Sequence, residues 1–151
     1  MALNESYNDF DQLLEDALQS VESILKNDVA PALETKLAQS AKMNIHPRRN
    51  RDGSITDPSC IVSEITKGTD SVTLIVKDIA KPQKPIMGYF DKSKDVAAGG
   101  TMFANWIENE LWMDIATYWA TGDKVKRPAR KFIEPVQLEA AMITKAALKS
   151  L

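Results

Sequence analysis

The chain has a single cysteine, Cys60, and a single histidine, His46, in 151 residues. One cysteine forms no internal disulfide, and a histidine with no second histidine or cysteine to share an ion is a poor metal site. An excess of charge of one sign is also missing. With 19 Lys and Arg against 21 Asp and Glu, the formal net charge is -2, which argues against a polyanion-binding chain and against an acidic, solvating one. There is no charged-then-apolar leader and no apolar run long enough to span a bilayer, so the expectation is an intracellular, soluble protein with no membrane partner. The glycine pair Gly99-Gly100 is not a phosphate loop, because the lysine and hydroxyl residue that would follow on a helix are absent. Neither a cofactor nor a metal is expected.

What is present is ordinary globular material, 44% hydrophobic and 26% charged. A chain of this length reads as one domain, residues 1–151, able to bury roughly 70% of its unfolded surface without disulfides or metals. From Asn8, the apolar residues Phe10, Leu13, Leu14, Ala17, Leu18, Val21, Ile24 and Leu25 recur at spacings of three and four. That periodicity predicts a long N-terminal helix capped by Asn8 or Asp9. Pro31 predicts a kink or restart at Val29-Ala30-Pro31, after which Leu33, Leu37 and Ala41 continue the stripe. The stripe must lie on the chain's own sheet or on a neighbouring subunit.

Residues 44–58 (NIHPRRNRDGSITDP) read as a loop, and the cluster His46, Arg48, Arg49 and Arg51 reads as solvated or ion-paired surface. Cys60–Thr66 and Ser71–Lys77 predict an antiparallel hairpin, turned by Lys67-Gly68-Thr69-Asp70, with Val72, Leu74 and Val76 on one face. Cys60 has no neighbouring lysine or histidine in sequence to lower its pKa, so a small packed residue is expected. Ile86–Phe90 predicts a third strand, and residues 91–101 a flexible loop able to order on assembly. The chain turns helical again at Thr101, with Phe103, Trp106, Ile107 and Leu111 on one face and Trp112, Ile115, Ala116 and Trp119 on another. Either one helix is apolar nearly all round or it breaks between Glu108 and Leu111. Pro128 predicts an extended approach to the last helix, which Pro135 opens and in which Val136, Ala140, Ile143, Ala147 and Leu148 form the apolar face. The fold class is therefore α+β: a long N-terminal helix, a small antiparallel sheet with a hairpin, a Trp-rich helical segment and a C-terminal helix.

Three motifs in the second half, Gly88-Tyr89-Phe90, Phe103-Ala104-Asn105-Trp106-Ile107-Glu108 and Arg127-Pro128-Ala129-Arg130-Lys131-Phe132-Ile133-Glu134-Pro135, give this order of elements a resemblance to a known family. The chain resembles the neck or tail-completion proteins of tailed phages, which join head to tail. Many members have a glycine where this chain has Glu110, and a proline where it has Lys131. The resemblance implies a non-enzymatic structural protein of the virion, made in the host cytoplasm. It implies a homo-oligomeric ring, commonly a hexamer, in the head-tail connector, with neighbouring connector and tail proteins as partners. DNA would pass through the channel without sequence-specific binding. Interface candidates are Phe103, Trp106, Glu108, Trp112, Trp119, Arg127, Arg130 and Phe132, with the Phe132 turn fixing the last helix against the sheet.

Three other readings compete. A tail terminator or head-closure ring of the same connector shares the small α+β plan. A non-viral protein-binding module would use the same Trp-rich surface. A metal-dependent enzyme would need Glu108, Glu110 and Asp114 to converge, although helical spacing aligns only Glu110 and Asp114.

Overall fold

The computed structural model describes residues 9–45, 52–82, 91–109, 111–114, 124–127 and 129–151, with the backbone alone for 111–114 and 124–127. Its first feature is a nearly continuous helical rod. Helix α1 (Phe10–Ile24) starts where Asp9 leaves helical geometry and its Oδ1 accepts the Asp11 N–H at 2.9 Å. A π-helical turn, Leu25–Val29, follows, closed by the Ala30 N–H on the Leu25 carbonyl, and α2 (Ala30–Asn44) carries Pro31 in its first turn. The expected kink is thus a π turn, and the cause is proline: Pro31 has no N–H for the carbonyl four residues back, and the wider turn makes room for its ring. Val29, Leu33, Leu37 and Ala41 are buried along the inner face of the rod, which ends where Ile45 turns extended.

Strands β1 (Ile61–Lys67) and β2 (Val72–Asp78) form the antiparallel hairpin in a register running from Ile61 opposite Asp78 to Lys67 opposite Val72. Both strands begin one residue later than the sequence pattern suggests. The Gly68 N–H bonds the Ser71 carbonyl at 2.7 Å and closes the turn. Val72, Leu74 and Val76 are half-buried on one face while Thr73 and Ile75 are exposed on the other, as period-2 patterning requires. The rod packs on this hairpin, where Glu15 of α1 pairs with Lys67 of β1, so the long helix has its own sheet to cover.

Before the hairpin, Ile55 is buried and Asp57 caps a 3₁₀ turn, Pro58–Cys60, by accepting the Ser59 N–H at 2.9 Å. The basic cluster at 46–51 lies outside the described residues, as does the expected strand at 86–90.

Two expectations are corrected. Residues 91–101 are not a loop throughout: α3 (Lys92–Ala97) is capped by Asp91, whose Oδ1 accepts the Ser93 N–H at 3.0 Å. Gly99 and Gly100 end it at φ 72° and 80°, and the Gly100 N–H bonds the Asp95 carbonyl at 2.7 Å. The second correction concerns the Trp-rich segment. Helix α4 covers only Met102–Glu108, and Leu111–Asp114 is strand β3, paired antiparallel with β4 (Lys124–Arg127). Asn109 stops the helix by adopting extended geometry while its Nδ2 donates to the Asn105 carbonyl at 2.8 Å. The helical spacing of Trp112 continued past a residue that competes for backbone hydrogen bonds. Arg127, just before Pro128, is extended as expected.

Helix α5 (Glu134–Leu148) closes the described structure and packs antiparallel to α2, with Glu139 paired to Lys36 at 2.7 Å. Its Val136, Ala140, Ile143 and Ala147 cover Leu25, Val29 and Leu33. A second cluster gathers Leu37, Ala41, Ile45, Ile55, Ile61, Ala80, Phe103, Ala104, Ile107 and Phe132, and Val76 and Val136 touch both. Phe132 has no exposed surface. Truncation there empties the densest contact in the chain, so Phe132→Ala should lower stability by about 3–5 kcal/mol, read as a lower urea midpoint with an unchanged slope.

Candidate functional site

The turn before α5 is short of caps. Helices normally start after Ser, Thr, Asp or Asn, yet Lys131, Phe132 and Ile133 precede Glu134, and Ile133 makes no side-chain cap. The missing acceptor comes from another element. Glu108, the last residue of α4 and 7% exposed, aims its carboxylate at the bare helix start. Its Oε2 accepts the N–H groups of Phe132 at 2.8 Å and Ile133 at 2.9 Å, and its Oε1 accepts that of Glu134 at 3.1 Å. Three donors that would otherwise be unsatisfied thus meet one buried anion at the positive end of a helix dipole.

Two more bonds complete the clamp. The Ser40 hydroxyl of α2 donates to the Phe132 carbonyl at 2.6 Å, and the Arg130 N–H donates to the Ile107 carbonyl at 3.0 Å. The second bond holds the chain leaving β4 against the end of α4. Phe103 and Trp106 stack beside it with ring centroids 5.8 Å apart and planes at 45°.

The interface candidates therefore separate. Phe103, Glu108 and Phe132 are buried in their own chain and shape the surface from behind. Trp106 is half-buried against the Phe132 cluster, and Arg130 is exposed. Trp112 sits opposite Lys126, and Leu111 opposite Arg127, in the β3–β4 ribbon. Trp119 lies outside the described residues. Glu108 is no free metal ligand, since both its oxygens carry backbone donors, and Glu110 lies outside the described residues. Among the described residues, no group of three His, Cys, Asp or Glu side chains converges as an ion would require.

Sequence reasoning missed Ser40, Asp78 and Asp95. Asp95 is fully buried; its Oδ1 caps α4 by accepting the Met102 N–H at 2.9 Å, and its Oδ2 lies 3.5 Å from Lys81 Nζ. Asp78 ends β2 at 2% exposure, with Oδ1 accepting the Ala80 N–H at 2.9 Å and Oδ2 without a hydrogen-bond partner among the described residues. Burial pushes its pKa up to about 7, the Ala80 N–H opposes that rise, and the nearby Asp57 carboxylate adds to it. Burial, then Asp57 and Asp78, also push the half-buried Cys60 thiol up, which disfavours the reactive thiolate and fits a packed residue. For the clamp, the only signal in the sequence was negative: a helix start with no local cap.

No family model, no curated protein and no solved structure matches the chain.

The clamp and the buried acid give separate tests. Glu108→Gln turns one acceptor into a donor facing N–H groups, so it should cost roughly 2–3 kcal/mol and speed amide exchange at the start of α5 first. Asp78 keeps a proton in the folded state that the unfolded chain has already lost between its ordinary carboxylate pKa and about 7. Stability from this group is therefore lost as pH rises through that window. Unfolding free energy should fall between about pH 5.5 and pH 8 by on the order of 3 kcal/mol, and Asp78→Asn should flatten the fall and exceed the parent above pH 7.

Proposed function

We propose that the protein is a structural subunit of the head-tail connector of a tailed phage, forming a ring, commonly of six copies, that joins head and tail around the DNA channel. The observation that supports this reading most is the pairing at Glu108. The glutamate of the Phe-Ala-x-x-x-Glu segment accepts hydrogen bonds from the Phe132, Ile133 and Glu134 N–H groups of the Arg-Pro-x-Arg-x-Phe-Ile-x-Pro turn. Two motifs by which the chain resembles that family, 24 to 26 residues apart, thus share one physical task. Motifs that work as a unit are harder to meet by chance than two unrelated matches.

The clamp also suits a ring subunit mechanically. It fixes both bases of the β3–β4 ribbon, through Glu108 on one side and Arg130 on the other, to the same buried Phe132. A ribbon held at both ends can carry contacts to a neighbour while the body stays rigid. In this reading Trp106, Trp112 and Trp119 supply apolar contact area, and Arg127 and Arg130 bridge acidic residues of adjacent subunits. Bridging is preferred to phosphate binding because a channel that gripped DNA strongly would slow its passage.

Light scattering after size exclusion, over a range of concentrations, tests the proposal. The expected result is a ring-sized species, or a monomer that assembles as concentration rises, with assembly weakened by Trp112→Ala at unchanged helical content. A protein that stays monomeric at high concentration, and still does so with connector and tail proteins added, would overturn it.

A further inference from the structure

Helix α5 has a second face. Its inner residues, Val136, Ala140, Ile143 and Ala147, pack on the rod and hairpin, while Leu138 and Met142 on the opposite side are 78% and 67% exposed. The exposed residues Glu134, Leu138, Ala141, Met142, Lys145 and Lys149 follow heptad-like spacings and form one stripe about 100° wide. An apolar stripe on the solvent side of a helix is unusual without an occupant.

The order of charges along the stripe says which occupant fits. Glu134 stands at its N-terminal end, Lys145 and Lys149 at its C-terminal end, and the apolar residues lie between. Glu134 and Lys145 are separated by about 16 Å along the axis. A second copy of the same helix laid antiparallel, with the two-fold axis near Ala140, sets each Glu134 against the other copy's Lys145 and the Leu138, Ala141 and Met142 side chains against their equivalents. Laid parallel, the stripe would put Glu134 on Glu134 and Lys145 on Lys145. Lys145 and Lys149 have no ion-pair partner among the described residues, and Glu134 has only the long contact of 3.7 Å to Lys131. The stripe is complementary to itself in one orientation and repelled in the other.

We propose that this face of α5 is a self-association surface, pairing antiparallel with α5 of a second copy about a two-fold axis. The contact is isologous, whereas a ring closes through heterologous ones, so it is independent of the ring assembly and would link two subunits or two rings back to back. A four-turn helix pair buries less than the ~800 Å² per partner of a standard interface, so the dimer is weak, with dissociation in the range of roughly tens to hundreds of micromolar.

Sedimentation velocity from about 10 µM to about 1 mM reads the equilibrium across that range. Met142→Glu should remove the dimer while leaving the circular dichroism spectrum intact, and Trp112→Ala should not affect it. Glu134→Lys should weaken it at least tenfold, and the exchange Glu134→Lys with Lys145→Glu should restore it. Ala141→Cys in a Cys60→Ser background should oxidise to a covalent dimer. A parent chain monomeric across the range, a dimer indifferent to Met142→Glu, or an exchange that fails to rescue would overturn the proposal; loss of ring-sized species in Trp112→Ala alone bears only on the connector.

Discussion

A carboxylate buried at the end of one helix accepts the N–H groups that open another, and the rest of the second half hangs from it. The start of α5 brings donors into the core with no local side chain to receive them, and leaving them bare would cost more than a packed chain of this size can spare. Glu108 removes that cost, but only if α4 ends at a fixed distance and angle from the Phe132 turn. Asp95 fixes the other end of α4 by capping Met102, and Ser40 fixes the turn to the rod. Buried Phe132 then has its backbone held on both sides, and the apolar cluster around it packs against a rigid frame.

The buried acids show how geometry decides the outcome for one kind of side chain. Glu108 and Asp95 both sit at helix starts, where backbone N–H groups and the dipole substitute for water. Asp78 sits at the end of a strand with one N–H for two oxygens, and Asp57 nearby repels its charge. Its carboxyl is therefore held at a much higher pKa than its type would give. Two of these acids stabilise the fold as anions; the third does so best as an acid.

Outward from this frame the chain presents two unlike surfaces. The β3–β4 ribbon springs from the clamp, and the outer face of α5 lies on the far side of the same helix whose start the clamp holds. One frame thus fixes both. A subunit that assembles needs such rigidity, because each contact made by a floppy element would first have to repay the entropy of ordering it.

The sequence alone determined whatever depends on neighbours a few residues away. Apolar spacing of three and four placed α1, α2 and α5, Asp9 and Pro31 marked where the rod starts and bends, and period-2 alternation oriented the β1–β2 hairpin. Each is a local rule: a cap, a ring without an N–H, a periodicity. The tertiary structure alone decided the rest. The Asp91 cap was too short a signal to lift α3 out of a loop-like composition, and the helical spacing around Trp112 gave way to strand pairing with a segment more than ten residues on. Glu108 looked like a solvated or metal-binding acid because its true partners are N–H groups 24 to 26 residues away, and backbone donors are identical in every sequence. Which acid meets them is set by where packing brings α4, and no residue type in the string announces it.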